Sequence, residues 1–259
     1  MQSSAEDAAS QPPPIVTAAL LVIGDEILSG RTKDKNIGYI AEYLTAIGID
    51  LREVRVVADV EDDIVAALNA LRARYDHVLT TGGNGPTHDD ITADAVAKAF
   101  GVGIDFDPRA VAILAERYGK ADLNEARMRM ARIPDGAELI ANPISKAPGF
   151  SLGNVHVMAG VPSIMQAMLD ALSTRLPTGK KMLSRSVPAG MGEGRIAKRL
   201  GEVQAAFPDV AMGSYPGFDP ATGFTTTLVL RSREEDRLAA AEAAVKAMLE
   251  EVRAEKPPG

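Results

Sequence analysis

The stretch TAALLVIGDEILSGRTKDKNIGYIAEYLTAIG, residues 17–48, contains in order an apolar run, a polar loop and a segment with helical spacing. Residues 17–24 are almost continuously apolar and end in glycine, which is typical of a strand buried on both faces of a parallel sheet. In residues 36–48 the large aliphatic side chains recur at helical spacing, and Gly48 supplies the stop. The stretch therefore predicts a strand followed by a helix.

The same order recurs twice further along the chain. IDLREVRVVA precedes a helical segment at residues 63–75, and DHVLTT precedes a glycine-rich loop and a helix predicted from about Asp90 to Phe100. Three strand-helix units in succession predict a three-layer, doubly wound α/β fold with a mostly parallel sheet. Residues 108–132 have helical spacing and are predicted to form a helical insertion or flap.

The remainder of the chain predicts the end of this sheet and a second, smaller domain. Residues 138–172 alternate between strand and loop and then end in a helix, and LPTGKK at residues 176–181 is typical of a linker. Beyond it the pattern indicates the order β-α-β-β-α, a small α+β domain. We therefore predict a disordered tail at residues 1–14, a large domain at residues 15–175 and a small domain at residues 182–253.

Composition excludes several classes of function. The formal charge of −7 provides no broad basic surface for nucleic acid or anionic lipid, and the absence of cysteine excludes disulfides, thiolate catalysis and cysteine metal sites. The beginning of the chain has no signal-peptide pattern, and no apolar run is long enough to span a membrane. These observations predict a cytoplasmic protein with no membrane and no nucleic-acid partner.

Polar loops follow the predicted parallel strands where a ligand would bind. GDEILSGRTKDKN, VADVED, TGGNGPTHDD and AGVPS each follow a predicted strand and are rich in glycine, aspartate, threonine or proline. Ligands of open α/β sheets bind outside the carboxyl ends of the strands. Loops that meet at one edge of the sheet therefore predict one pocket.

TTGGNGPTHDDIT, residues 80–92, has the composition of an anion-binding loop. Gly82, Gly83 and Gly85 let backbone amides approach an anion, and Thr81 and Thr87 add hydroxyl donors. The amino end of the following helix would add its positive dipole. The loop therefore predicts a phosphate site.

Two aspartates follow these glycines, and their pairing leaves two interpretations open. Asp89 and Asp90 could cap the next helix, or together they could hold a hydrated Mg²⁺ that bridges to phosphate. Capping or turn formation is likewise an alternative for Asp25, Glu26, Asn36, Asp59 and Ser163.

Four blocks, in the same order and at compatible spacing, resemble a known family. TGGNGPTHDDIT resembles the GGxGPTxDDxT signature of the MoaB/Mog molybdopterin-binding fold, and GDEILSGRTKDKN resembles the GDEhLxGxxxDxN block of its CinA-like branch, where h is apolar. NPISKAPGF and AGVPSIMQAM resemble two further blocks, and the resemblance extends from about Thr17 to Val252. The chain is thus identified as a CinA-like member that ends before an amidohydrolase domain, so nicotinamide mononucleotide deamidation is not expected.

The resemblance implies a pocket for molybdopterin or a nucleotide, with a divalent cation such as Mg²⁺ as cofactor. Similar proteins adenylylate molybdopterin with ATP or hydrolyse dinucleotide pyrophosphates such as ADP-ribose or FAD. By position, Asp59 and Asp90 are the implied catalytic residues and metal ligands. The implied ligand-binding residues are Gly24, Asp25, Glu26, Asn36, Thr81, Gly82, Gly83, Asn84, Gly85, Thr87, Asp89, Thr92, Lys146, Gly160 and Ser163.

Some positions depart from the family pattern and leave the activity open. Asn84 stands where relatives usually carry leucine or threonine, and Ser145 and Lys146 replace a usual Gly-Thr pair, so that Lys146 is either a phosphate ligand or a solvated lysine. A non-catalytic carrier or sensor of molybdopterin or a nucleotide is therefore the alternative to a metal-dependent pyrophosphatase or adenylyltransferase. Relatives form dimers or trimers, so the resemblance also implies a homo-oligomer.

Overall fold

The protein is described here from a computed structural model that covers residues 15–119, 122–219 and 223–255. The predicted tail at residues 1–14 lies outside the described residues. The chain divides into two compact units between Gly179 and Lys180, within the segment predicted as a linker.

The first unit is built on a six-stranded sheet in the order β2-β1-β3-β8-β7-β6. β1 pairs in parallel with β2 and β3, and β3 pairs in parallel with β8, whereas β7 is antiparallel to both β8 and β6. The predicted doubly wound, mostly parallel sheet is confirmed. The strand bounds are β1 Val16–Ile23, β2 Ile49–Val57, β3 His77–Thr81, β6 Glu138–Ile140, β7 Gly149–Leu152 and β8 Val155–Met158.

Helices cover both faces of this sheet, which explains the continuous apolar run of β1. Ala18, Leu20 and Val22 pack with α2 (Asn36–Ile47) and α7 (Pro162–Ser173), whereas Leu21 and Ile23 pack with the helices of the other face. Those helices are α3 (Glu61–Arg72), α4 (Thr92–Phe100) and α5 (Pro108–Tyr118). Because successive side chains point to opposite faces, a strand covered on both sides needs apolar residues throughout.

The segment predicted as a helical insertion contains α5 and a short α6 (Glu125–Arg129), as expected. It is bracketed by a two-stranded antiparallel pair that the sequence did not reveal, β4 (Ile104–Phe106) and β5 (Arg132–Pro134). Strands of three residues are too short to show an alternating pattern of apolar and polar side chains. The helix predicted from about Asp90 begins at Thr92, because Asp90 belongs to the preceding loop.

The second unit has the order β9 (Leu183–Pro188), α8 (Ala197–Ala206), β10 (Ala211–Asp219), β11 (Gly223–Ser232) and α9 (Glu235–Ala254). Its antiparallel sheet has the order β10-β11-β9, and the buried side of α9 packs on Leu228 and Leu230 of β11. The predicted β-α-β-β-α unit is confirmed. In the described parts of both units, no helix is long and apolar enough to cross a membrane.

Candidate functional site

A cavity of about 490 Å³ lies where the loops after β1, β3 and β8 meet. The strand order reverses between β1 and β3, since the chain continues from β1 to β2 on one side and from β3 to β8 on the other. This is the position at which open α/β sheets bind ligands, and the volume is typical of a small-molecule site. The wall consists of Glu26, Thr32, Gly83, Asn84, Gly85, Pro86, Asp90, Met130, Asn142, Ser145, Ala147, Ala159, Gly160, Val161, Pro162 and Ile164.

The glycine-rich loop is tied through its carbonyl groups to Thr92, the first residue of α4. Thr92 donates from its hydroxyl to Gly82 O at 3.0 Å and from its amide to Gly83 O at 3.0 Å. In contrast, the amides of Gly83, Asn84 and Gly85 donate no hydrogen bond within the described part of the chain. Because these three residues line the cavity, their amides are available to an anion there.

Gly82 has a structural task that differs from anion binding. Its φ is +98°, and a Cβ added at this position would lie 2.0 Å from the carbonyl oxygen of Ile23 in β1. A side chain would therefore separate the loop from the strand beside it. The glycine at this position is required by the approach of two backbones.

Asp90 closes the loop and forms part of the cavity wall. Its Oδ2 accepts from Thr87 N at 2.8 Å and from Thr87 Oγ1 at 2.6 Å. The N-cap of α4 is Ile91, so Asp90 is not the helix cap. Its second oxygen makes no hydrogen bond with any described residue.

Asp59 lies in an acidic cluster beside the cavity. Its Oδ2 accepts from Asp25 N at 2.9 Å, at the start of the short helix α1 (Asp25–Leu28). Burial raises the pKa of the Asp59 carboxyl, and repulsion from Asp25, Glu26 and Asp89 raises it further. The hydrogen bond from Asp25 N lowers this pKa, but the net shift is upward. Asp59 does not cap α3, whose N-cap is Val60 without a side-chain bond. Within this acidic cluster, Glu26 is the residue that lines the cavity.

We expect Asp59→Asn to raise the free energy of unfolding at pH 7 by on the order of 0.5 kcal/mol. Asparagine can still accept from Asp25 N but removes a charge that burial and neighbouring acids disfavour. Because the folded-state pKa is raised, the stability gained from protonating Asp59 is present at low pH and is lost as pH rises through that pKa. Urea denaturation between about pH 4 and 7 would measure a flatter profile for the variant.

The exposed Asp63, in the first turn of α3, provides the matched control for this experiment. Asp63→Asn makes the same chemical change at an exposed position outside the acidic cluster and should not raise the free energy of unfolding at pH 7. An Asp59→Asn chain that is less stable than the parent at pH 7 would contradict the electrostatic assignment.

Asn36 joins α2 to the loop after β8. It is buried, and its Nδ2 donates to Gly160 O at 2.8 Å, while its amide donates to Asp34 Oδ1 at 3.0 Å. It is therefore the first residue of α2 and not the cap. Thr81 is also buried, and neither its hydroxyl nor Asn36 Oδ1 has a partner among the described residues.

The structure brings only part of the predicted ligand-binding set to the cavity wall. The predicted residues that line it are Glu26, Gly83, Asn84, Gly85, Asp90 and Gly160. The predicted residues that do not are Gly24, Asp25, Asn36, Asp59, Thr81, Gly82, Thr87, Asp89, Thr92, Lys146 and Ser163. Lys146 is exposed with φ +70°, and Ser163 makes no capping bond at α7, whose N-cap is Val161. The capping alternative for Ser163 is therefore wrong.

Several residues beside the cavity were not predicted. Arg129 donates from Nε to Thr87 O at 3.2 Å, and the adjacent Met130 lines the cavity. Both lie in the NEARMRMARI stretch, where helical spacing alone does not distinguish core packing from a cavity wall. Asn142 is buried and accepts from the amides of Ile144 and Ser145, so it shapes the loop that completes the wall.

The carboxylates fit a hydrated Mg²⁺ but not a metal site built by the protein alone. Among the described residues, no three histidine, aspartate or glutamate side chains converge closely enough to hold a metal ion. Mg²⁺ commonly takes one or two carboxylates and completes its shell with water and substrate phosphates. Asp90 in the wall and the cluster around Asp59 supply oxygens of that kind.

The structure is thus an α/β domain with a crevice of small-molecule size, lined by a glycine-rich loop, at its topological switch point. Residues 19–178 match the family described as "Probable molybdopterin binding domain", and residues 181–256 match "FAD synthase, middle domain". The chain belongs to the molybdopterin-binding domain family, in its CinA-like branch. The family predicted from the sequence is confirmed.

Individual relatives support this assignment. Protein Ta0487 of Thermoplasma acidophilum is 33% identical over 205 residues, which cover 77% of this chain and 80% of the relative. A CinA-like protein of Desulfosudis oleivorans is 36% identical over 209 residues, covering 76% of this chain but 51% of the relative. The chain thus spans about half the length of that relative. The crystal structure of a CinA protein of unknown function from Thermoplasma acidophilum superposes with a TM-score of 0.59 and 37% sequence identity. The match covers 62% of this chain and 98% of the Thermoplasma chain.

Proposed function

We propose that the first unit binds a phosphorylated pterin or nucleotide and catalyses Mg²⁺-dependent chemistry at a phosphoanhydride. The observation that carries this proposal is that Gly83, Asn84 and Gly85 line the cavity and that their three amides donate no hydrogen bond within the described chain. Consecutive amides on a glycine-rich turn bind phosphate oxygens. The net charge of −7 gives the whole chain no attraction for anions, so the affinity must be local.

The remainder of the cavity suits a ring system attached to that phosphate. Met130, Val161 and Ile164 provide an apolar wall, and Asn142 and Ser145 provide polar atoms on the same wall. Pockets for small ligands commonly combine an apolar lining with a few polar groups that fix orientation. A pterin or a nucleobase has both kinds of surface.

The acids at the edge of the cavity support hydrolysis or adenylyl transfer. When bound, Mg²⁺ would neutralise phosphate charge and polarise the bond that breaks. The Asp59 carboxylate, whose pKa is raised, would accept a proton from the attacking water, while Asp90 would help to hold the cation. In hydrolysis, a water oxygen bonds to one phosphorus, the bridging oxygen leaves with the other phosphate, and two phosphate monoesters are released.

Two substrate classes are consistent with this site. Dinucleotide pyrophosphates such as ADP-ribose or FAD would be hydrolysed. Molybdopterin would instead be adenylylated by ATP: its phosphate oxygen would bond to the α-phosphorus, and pyrophosphate would leave. The match of residues 181–256 to a domain of FAD synthase supports the first class, and the match of residues 19–178 to molybdopterin-binding domains supports the second. We further propose that the protein acts as a homo-oligomer, as the resemblance implies.

A non-catalytic carrier or sensor is the second candidate function. It is favoured by the two hydrogen bonds that Thr87 donates to Asp90 Oδ2, which already engage one of the two oxygens of a proposed metal ligand. A carrier would need the anion loop but not the cation.

Product formation separates the two functions. The purified chain is incubated with ADP-ribose, with FAD, or with molybdopterin and ATP, with Mg²⁺ or with excess EDTA, and the products are separated by chromatography. We expect one substrate to yield product only with Mg²⁺. Ligand-dependent thermal stabilisation without product would establish the carrier, and the absence of both product and binding would reject the site.

A further inference from the structure

A second site lies at the opposite edge of the sheet from the candidate active site. His77 is the first residue of β3, and His156 is the second residue of the neighbouring β8, so both lie near the amino ends of these parallel strands. Both histidines are 6% exposed, yet both lie on the wall of a cavity of about 380 Å³. The candidate active site uses neither of them.

The ring nitrogens of the two histidines have the arrangement of metal ligands. His77 Nδ1 lies 3.3 Å from His156 Nε2. In a tetrahedral zinc site with Zn–N bonds of about 2.0–2.1 Å, two imidazole nitrogens are separated by about 3.3–3.4 Å. The observed separation therefore fits one ion bound by both rings.

The other nitrogen of each ring has the partner that such a site requires. His77 Nε2 lies 3.4 Å from Pro177 O, and His156 Nδ1 lies 2.9 Å from Ser151 Oγ. Histidines that bind metals almost always donate their second ring N–H to a carbonyl or another oxygen, which fixes the ring orientation. Each ring therefore has one nitrogen beside an oxygen atom and the other beside a nitrogen of the second ring.

We propose that His77 and His156 form a binding site for a divalent transition-metal ion of the Zn²⁺ class. The two imidazoles would be the protein ligands, and water from the adjoining cavity would complete the coordination. Within the described residues no third histidine, aspartate or glutamate joins them, so the affinity should be below that of a closed four-ligand structural site. Imidazole favours Zn²⁺, Ni²⁺ or Cu²⁺ over Mg²⁺, which keeps this site distinct from the acidic cluster.

The protons of the pair can be rearranged without leaving the protein. Without metal, His77 donates from Nε2 to Pro177 O and accepts at Nδ1 from His156 Nε2–H, while His156 Nδ1 accepts from the Ser151 hydroxyl. With metal, the His156 proton moves to Nδ1, and that N–H donates to Ser151 Oγ. Both rings are buried, which disfavours the charged imidazolium form, and ligation requires neutral imidazole.

Calorimetric titration of the untagged full chain with ZnCl₂ tests this site, with excess Mg²⁺ present to occupy the acidic cluster. We expect one equivalent of zinc to bind, and we expect binding to weaken at least tenfold in His77→Gln and in His156→Gln. The chain has three histidines and no cysteine, and the third histidine, His88, is exposed. His88→Gln is therefore the matched control and should bind zinc like the parent.

A second variant keeps the test decisive if either histidine variant does not fold. Ser151→Ala leaves both imidazoles in place but removes the partner of His156 Nδ1, and it should weaken zinc binding about tenfold. Co²⁺ used as a probe should give the intense visible absorption of four-coordinate cobalt in the parent chain and lose it in the folded variants. Absence of zinc binding by the parent, or equal binding by the parent and Ser151→Ala, would overturn the proposal, irrespective of the proposed enzyme activity.

Discussion

Asp90→Asn is expected to lower kcat for phosphoanhydride cleavage by about 100–1000-fold and to leave the chain folded. Asparagine has nearly the same shape, and its Oδ1 can still accept from Thr87 N, so the loop should close as before. What is lost is the negative charge in the cavity wall that would hold Mg²⁺ against the phosphate. The KM for substrate should change less than kcat, because the Gly83–Gly85 amides still bind the phosphate.

Steady-state kinetics at several Mg²⁺ concentrations would measure this effect. Asp63→Asn is the matched control, since it makes the same chemical change on an exposed first-turn residue of α3. Circular dichroism and a urea titration would verify that both variants fold. Turnover of Asp90→Asn within threefold of the parent would reject the catalytic role of Asp90 while leaving the ligand-binding proposal to its own test.

Gly82→Ala is expected to lower the free energy of unfolding by about 3–5 kcal/mol. About 1–2 kcal/mol of this comes from placing a non-glycine residue at φ +98°. The remainder comes from a methyl group built 2.0 Å from Ile23 O, a contact that can be relieved only if the loop moves away from β1. Because the same movement displaces the amides of Gly83–Gly85, ligand binding should weaken as well.

Gly101 provides a control that separates these two contributions. It also has a positive φ, +67°, at the end of α4, but a Cβ added there meets no atom within 4 Å. Gly101→Ala should therefore cost only about 1–2 kcal/mol. Equal destabilisation of the two variants in urea denaturation would show that the contact with Ile23 is unimportant.

Much of the fold could be predicted from local pattern. The apolar run of β1 indicated a strand covered on both faces. Helical spacing located α2, α3 and α7, because a helix that buries one face leaves a periodic mark on the sequence. The pair β4–β5 left no such mark, since three residues do not establish a period. The composition of residues 80–92 predicted the anion loop, and the family resemblance carried the assignment of Asp59 and Asp90.

Side-chain roles within the site were less predictable. Asp90, Asp59, Asn36 and Ser163 all stand near helix starts in the sequence, where capping is the ordinary interpretation, yet none of them caps its helix. Asp90 bonds back to Thr87, and Asn36 reaches Gly160 across 124 positions of the chain. Local sequence cannot distinguish these partners, because a carboxylate accepts from any nearby donor and an amide side chain can both donate and accept.

The sequence itself determined the alternation of the longer strands and helices and the glycine-rich loop followed by acids, since each depends on residues close together in the chain. It also determined the family, through four ordered blocks. Tertiary structure alone decided which amides remained without partners and which acids faced the cavity. It also decided that His77 and His156, 79 positions apart, would meet at 3.3 Å. The physical reason is that the pairing of β3 with β8 fixes the distances between their side chains, and the spacing of residues along the sequence does not indicate those distances.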